Sequence, residues 1–453
     1  MAAASSSRQR VRADKVLFRN DAHHPLVPLP AALDLPGLPT GLLTTLAGCL
    51  PSARLALVGG AVRDCLLHRQ HRDPWRGVMD LDLVVEVSGS RFVEALVKVP
   101  DLELCSAREH GRYGTVELEV RYSGVELLFD VACARREIYP RPGGKPVVEF
   151  DSLEADLARR DFSINAMAFV LDPCGQEPTL IDPHGGLADL QHRQLRFLHA
   201  HSLRDDPTRL IRAARYAARL GFHLAPASEL QVRQTLADWP WGWMPTDNPM
   251  QAPVSLASRL RMELELLLTR EPWPSALTLL QAWGGLRLLD ATLQGDLFWR
   301  RRLHWAQRLG LPLLPALIAP AGDPLAIAQR LQLPHGQQRM LGQWLRLRER
   351  LQNLSGSGCG MREQSWSPSR WTQWLEQASC TPEAVALALA VGLGPRRPLL
   401  RWWLRWRHQV SPCSAAELMA KGLSAGPDLG RKLRHLRLAA IDQSERWIPS
   451  APS

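Results

Sequence analysis

The stretches "ALVGGAVRD" (Ala56–Asp64) and "MDLDLVVEV" (Met79–Val87) decide how the first part of this chain folds. Each carries a short apolar run of the kind a buried strand needs. The first run stops at Gly59 and Gly60, and a helix opens at Ala61. Glycines at such a turn let backbone N–H groups approach a phosphate, and a helix N-terminus adds favourable partial charge. On the second strand side chains alternate, so Asp80 and Asp82 share one face while Leu81, Leu83 and Val85 point into a core. Two rises of ~3.3 Å put the two Cα atoms ~6.5 Å apart. Oxygen donors so spaced suit one Mg2+ held jointly, or a pair of ions organising attack on a phosphorus centre. Taken singly, the Gly-Gly turn is ordinary punctuation and the Asp-x-Asp a solvated strand end. Together they point to a triphosphate held beside metal-binding carboxylates.

Working outward, residues 1–41 are rich in Pro, His and Ser and read as an irregular or disordered leader. Its opening "MAAASSSRQRVR" has no acid before Asp14, a pattern shared with organelle transit peptides. From 42 to 185 helical and β patterns mix. Leu42–Leu50 and Ser90–Lys98 read as helices, and "GTVELEVRY", "ELLFDVACA" and "NAMAFVLD" read as strands. After "DPHGG" (Asp182–Gly186) the pattern becomes helical, rich in Leu, Ala and Arg. Breaks at Pro240–Pro253, Pro320–Pro324 and the tract "NLSGSGCG" (Asn353–Gly360), a loop or linker, divide this half. The expected class is α+β: a mixed-sheet head at 42–185, then an all-helical neck (186–270), body (271–352) and tail (353–453).

A chain of 453 residues exceeds what one core supports. The formal net charge is +10, nearly all of it from arginine; lysine stands only at Lys15, Lys98, Lys145, Lys421 and Lys432. Such a balance favours a polyanionic partner. The 8 cysteines form no CxxC pair and no cluster with histidine, which speaks against a zinc site or a disulfide framework and fits reduced thiols of a cytoplasmic protein. Apolar runs such as "AVALALAVGL" (Ala384–Leu393) fall short of the ~20 residues of a membrane span.

"GGAVRD" with "DLD" resembles the signature of polymerase-beta-like nucleotidyltransferases. More narrowly it is similar to the class II tRNA nucleotidyltransferase (CCA-adding enzyme) and bacterial poly(A) polymerase family. "EADLARRDFSINAMAF" (Glu154–Phe169), "LIDPHGGLADLQHRQLRF" (Leu180–Phe197), "RDDPTRLIRAARYAARLGF" (Arg204–Phe222) and, more weakly, "SRLRMELELLL" (Ser258–Leu268) follow in the same order. The resemblance covers about residues 50 to 270. It implies a polymerase-beta-like head and template-independent addition of CMP and/or AMP, from CTP and ATP, to the 3′ end of tRNA. Mg2+ is the implied cofactor and no protein partner is implied. Arg160 and Asp161, with Asn165 near by, are implied to touch ribose and phosphates, and Arg212 joins the nucleotide-binding set. Read alone, Arg159, Arg160 and Asp161 form a solvated charge cluster. Arg63 and Asp64 are open between supporting the site and surface pairing.

Asp206 is a natural N-cap, with Pro207 in the first turn, an apolar stripe at Leu210, Ala213, Ala214 and Ala217, and Gly221 as the stop. Asp206 and Arg209 lie three apart on one helix face. Cytosine and adenine each present an amino donor beside a ring-nitrogen acceptor, where uracil and guanine present the reverse. One carboxylate acceptor with one guanidinium donor therefore suits C and A; an ordinary capped helix with an i,i+3 ion pair reads equally well from the residues alone. Asp130 lies in an apolar strand, where an unpaired carboxylate is costly to bury. Motif order gives it the part of a third carboxylate accepting the proton of an attacking hydroxyl. "REIYPRPGGKPVV" (Arg136–Val148) reads as a mobile loop. Family members that add only CC have this region shortened; here it is not truncated. Basic, Trp-bearing segments such as "WRRRLHWAQR" (Trp299–Arg308) and "RWWLRWRHQ" (Arg401–Gln409) suit the backbone of folded RNA, or else a Trp core under surface arginines. Rival readings are a poly(A) polymerase, an A-adding or CC-adding specialist, and an RNA-binding protein that has lost catalysis.

Overall fold

A computed structural model of the chain describes residues 35–75, 77, 81–110, 114–174, 176, 178–356, 366–377 and 380–446. The expected leader lies almost wholly outside the described residues, as do Asp80 and the second half of the Gly/Ser tract. The chain divides into two compact units. One takes residues up to 138 together with 146–202, the other 139–145 together with 203 onward.

The first unit holds strands β1 (Leu55–Val58), β2 (Leu81–Val85), β3 (Leu102–His110), β4 (Thr115–Tyr122), β5 (Val125–Cys133), β6 (Arg135–Ile138), β7 (Val147–Phe150), β8 (Ala168–Val170) and β9 (Thr179–Ile181). Seven of them form one sheet in the order β3-β4-β5-β2-β1-β8-β9. The β2–β5 pair is parallel and its other pairs are antiparallel. Central β1 is buried at all four residues, as its unbroken apolar run requires. β4 alternates instead: Val116, Leu118 and Val120 are buried and Glu117 and Glu119 are half-buried. Helices α1 (Leu42–Gly48), α2 (Gly60–His71), α3 (Gly89–Leu96), α4 (Leu153–Ala158) and α5 (Gly186–Gln191) complete the unit. Ser88 and Ser152 cap α3 and α4 by accepting the N–H of Arg91 and Ala155. Leu153 and Leu157 of α4 bury against Ala56, Val58, Val84, Ala134 and Ala168 on one face of the sheet.

Two expectations are corrected. The segment 136–148 is a hairpin rather than a free loop: β6 and β7 pair from Arg135↔Phe150 to Ile138↔Val147. Its tip, 139–145, groups with the second unit. The Gly143 N–H donates to the carbonyls of Arg204 and Asp205, and the Gly143 carbonyl accepts from the Ser255 hydroxyl at 2.6 Å. A Cβ at Gly143, whose φ is +68°, would stand 2.7 Å from Ser255 Oγ and 2.9 Å from Trp241. The second correction concerns 186–202, expected in a neck, which group with the head.

The second unit is built on helices, beginning with α6 (Ser202–Asp205), α7 (Thr208–Leu220), α8 (Pro226–Asp238), α9 (Ser258–Arg270) and α10 (Trp273–Ala282). α11 (Ala291–Gln294), α12 (Trp299–Arg308), α13 (Leu313–Ile318), α14 (Pro324–Arg330) and α15 (His335–Gly356) follow. α15 absorbs the first residues of the expected linker at Asn353. The last five are α16 (Pro368–Leu375), α17 (Pro382–Val391), α18 (Arg396–Leu404), α19 (Ala415–Ala420) and α20 (Pro427–Arg446). α17 is apolar all round and buried from Ala384 to Ala390, packed on α12, α15 and α18. Among the described residues no helix is long and apolar enough to cross a membrane. Trp299, Trp344, Trp371, Trp402 and Trp406 are core residues. Several arginines stack on tryptophans of this same chain, Arg407 over Trp403 at 3.6 Å and Arg350 over Trp374 at 4.1 Å.

Candidate active site

β1 ends against β2 at Gly59, which takes φ 73° and ψ −134° as the residue before α2. A Cβ placed there would meet Asp82 Oδ2 at 2.9 Å and Arg160 Nη1 at 3.4 Å. The backbone of the glycine turn, one carboxylate and one guanidinium therefore converge on one point, where only glycine fits. Asp82 is half-buried. Two residues along the same strand, Val84 lies under α4, so α4 covers one end of this sheet face and leaves the Asp82 end uncovered by that cluster.

The parallel β2–β5 register sets Asp82 beside Asp130. Paired residues of adjacent strands project to the same face about 5 Å apart. Asp130 is exposed, because Phe129 and Val131 take the buried side of β5. The expected burial cost does not arise. The β4–β5 register then places Glu117 opposite Asp130, so Asp82, Asp130 and Glu117 form a row across three strands. Glu117 went unnoticed in the sequence, where nothing in "GTVELEV" gives its partner strand. Arg108 on β3 stands 3.9 Å from Glu117.

Cations reach this end of the head through a tied framework. Arg63 is only 4% exposed. Its Nε and Nη2 donate to Asp64 at 2.8 and 3.0 Å, and its Nη1 donates to Asn165 Oδ1 at 2.8 Å. It thus joins α2 to the turn Ser163–Asn165, and its pairing with Asp64 is not a surface one. Asp156 is fully buried and divides its two oxygens between neighbours. Oδ1 accepts from Arg159 Nε and Nη2, and Oδ2 accepts from Arg160 Nε and Nη2. Arg159 also donates to Glu137 at 3.1 Å, and Arg135 pairs with that carboxylate at 3.4 Å. Burial, and then the Arg159 cation, push the Arg135 pKa down. Asp161, the next residue of the predicted cluster, is half-buried. What reads as a solvated charge triplet is partly a buried clamp, with Asp156 as its unpredicted centre.

In the second unit α7 carries Arg209 of the other predicted pair, while Asp206 lies two residues ahead of its first residue and Pro207, not Asp206, is the N-cap. Leu210, Ala213, Ala214 and Ala217 are buried and Gly221 follows the last turn, as the pattern required. Asp206 is 1% exposed and Arg209 3%. Asp206 Oδ1 accepts the Thr208 N–H at 3.0 Å and the Thr208 hydroxyl at 2.6 Å. Its Oδ2 accepts from Arg259 Nη2 at 2.6 Å, with Arg212 Nη2 at 3.5 Å. The cations beside Asp206 are therefore Arg259 of α9 and Arg212. Below them Arg212 and Arg215 meet Glu263, and Arg215 and Arg219 meet Glu271, a ladder that ties α7 to α9 and the residue after it.

The Poly A polymerase head domain family matches residues 55–196. Over 407 residues the chain is 34% identical to the CC-adding tRNA nucleotidyltransferase of Deinococcus radiodurans, covering 87% of this chain and 86% of that one. The chain belongs to the class II tRNA nucleotidyltransferase family. The A-adding tRNA nucleotidyltransferase of Aquifex aeolicus is 40% identical over 190 residues, 40% of this chain and 20% of that protein. The fold is shared with the Thermotoga maritima CCA-adding enzyme complexed with tRNA, at a TM-score of 0.62 and 22% identity, across 89% of this chain and 91% of that one.

Members of the family use divalent metal ions. Among the described residues no group of three His, Cys, Asp or Glu side chains gathers into a metal cage. The paired carboxylates of Asp82 and Asp130 nevertheless fit Mg2+, which takes one or two carboxylates and completes its shell with water and phosphate oxygens.

Proposed function

We propose that this chain adds CMP and/or AMP, from CTP and ATP, to the 3′ end of tRNA, without a nucleic-acid template and with release of pyrophosphate. The observation that carries this reading is the convergence of Gly59, Asp82 and Arg160, with Asp130 in register beside Asp82. The Gly59–Gly60 turn and the N-terminus of α2 offer backbone N–H groups to the triphosphate, and Arg160, with Asp161 and Asn165, faces its phosphates and ribose. Asp80, Asp82 and Asp130 would hold Mg2+, which when bound supplies positive charge against the α-phosphate and pyrophosphate oxygens. The RNA 3′ hydroxyl attacks the α-phosphorus, the bond to pyrophosphate breaks, and Asp130 accepts the hydroxyl proton. Asp206 and Arg209, with Arg212 beside Asp206, select cytosine and adenine over uracil and guanine.

Within this class we read the product as CC. In sequence, the Deinococcus CC-adding enzyme is 34% identical across 87% of this chain, helical half included, whereas the Aquifex A-adding relative aligns over 40% of it; the CCA-adding fold neighbour, at 22% identity, bears on the fold alone. The untruncated 136–148 hairpin supports the full CCA product as the second reading. Purified protein with Mg2+, given tRNAs ending before C, after C or after CC and one nucleotide at a time, separates them. CTP extending the first two substrates to CC, with ATP inert on the third, is expected. ATP addition to the CC-ended tRNA replaces the CC reading, long A tracts point to a poly(A) polymerase, and no incorporation anywhere removes the enzymatic reading. Asp82→Asn should reduce incorporation to background with tRNA affinity retained in filter binding. Wild-type incorporation by that variant would reject the metal assignment.

A further inference from the structure

We propose that Arg259 is a positioning residue for nucleobase selection, orienting the Asp206 carboxylate so that one lone pair of Oδ2 is held ready for the amino group of an incoming base. The inference rests on the reading of Asp206 as the base-reading acceptor, and adds the residue that makes that acceptor directional.

An ionised carboxylate offers about four acceptor positions. On Asp206 the Thr208 N–H and hydroxyl occupy both positions of Oδ1. On Oδ2, Arg259 occupies one at 2.6 Å, and Arg212 stands back at 3.5 Å. This leaves one acceptor direction on a carboxylate that is 1% exposed and whose plane is pinned at both oxygens. Without Arg259, two directions on Oδ2 are open and only Thr208 restrains rotation, so the geometric match to an amino donor weakens. Arg259 also differs from the rest of the α7–α9 contacts. Arg212, Arg215 and Arg219 project from α7 toward Glu263 and Glu271, a stapling ladder. Arg259 runs the other way, from the first turn of α9 to Asp206, two residues ahead of the first residue of α7. Breaking the ladder costs stability alone, whereas removing Arg259, a partner of the buried Asp206, costs discrimination as well as stability.

Single-nucleotide incorporation by the full chain gives kcat and KM for CTP and for UTP, and thermal melts report folding. Arg259→Gln is expected to lower the CTP-over-UTP preference by about tenfold or more, mainly through a higher KM for CTP. Arg259→Lys, which keeps the charge and loses the planar fork, gives an intermediate preference. Glu271→Gln lowers the melting temperature and keeps the preference. Wild-type preference in Arg259→Gln, or equal blurring in Glu271→Gln, overturns the proposal. If the Gln variant does not fold, Arg259→Lys carries the test, and wild-type preference in it overturns the proposal. Asp206→Asn separates the two levels. Wild-type preference there removes the base-reading assignment itself, whereas lost preference there with intact preference in Arg259→Gln removes only the role of Arg259.

Discussion

At Gly59 a single methyl group would intrude on both the carboxylate of Asp82 and the guanidinium of Arg160. The backbone angles there are also closed to L side chains, so an added Cβ meets strain as well as contact. Gly59→Ala should destabilise the head by about 1–3 kcal/mol, read as a lower melting temperature. It should also cut CMP incorporation by more than that loss of folded protein explains, because Asp82 must move to admit the methyl. A variant that melts early but incorporates normally per folded molecule would disconnect Gly59 from the site. Asp130 makes the complementary point. Its strand is apolar in composition, yet its own side chain is exposed because the pleat sends Phe129 and Val131 the other way.

At the scale of elements, α4 is only six residues long and matters for what its end delivers. Leu153 and Leu157 anchor it to the sheet, and Asp156, between them, holds Arg159 and Arg160 with separate oxygens. Removing one partner of a buried ionic group leaves the others uncompensated, at a cost of about 3–5 kcal/mol. Asp156→Ala should therefore lower stability by that order in urea unfolding, and the folded fraction should bind CTP weakly, since Arg160 loses its anchor beside Gly59. Stability within about 0.5 kcal/mol of wild type would show that the clamp is a surface pairing after all. The β6–β7 hairpin teaches a related lesson. Its Pro and Gly content is what a loose loop would carry, but Gly143 is held by main-chain bonds to Arg204 and Asp205 and by Ser255.

Across the whole molecule the decisive quantity is charge. A net charge of +10 carried by arginine should make tRNA binding strongly salt-dependent, as phosphate contacts release counterions. Affinity for tRNA is expected to fall by about tenfold or more between about 50 and 200 mM salt, measured by filter binding. A salt-independent affinity would contradict a phosphate-tracking helical half. Many tryptophans there are not free to take part, since Trp299, Trp344, Trp371, Trp402 and Trp406 serve the core.

The sequence by itself determined the class of the head, the glycine turn, the strand carrying Asp82 and the helix carrying Arg209, which opens at Thr208 behind Pro207 rather than at Asp206. These depend on local periodicity, turn chemistry and capping, which act over a few residues. It did not reveal edge strand β3, whose side chains are mostly exposed and so carry little apolar pattern. Nor did it reveal which groups meet across long separations: Asp82 with Asp130 through a parallel register, Arg63 with Asn165, and Asp206 with Arg259. Those pairings were decided only by tertiary structure, because strand order and helix packing, not spacing along the chain, bring the atoms within reach.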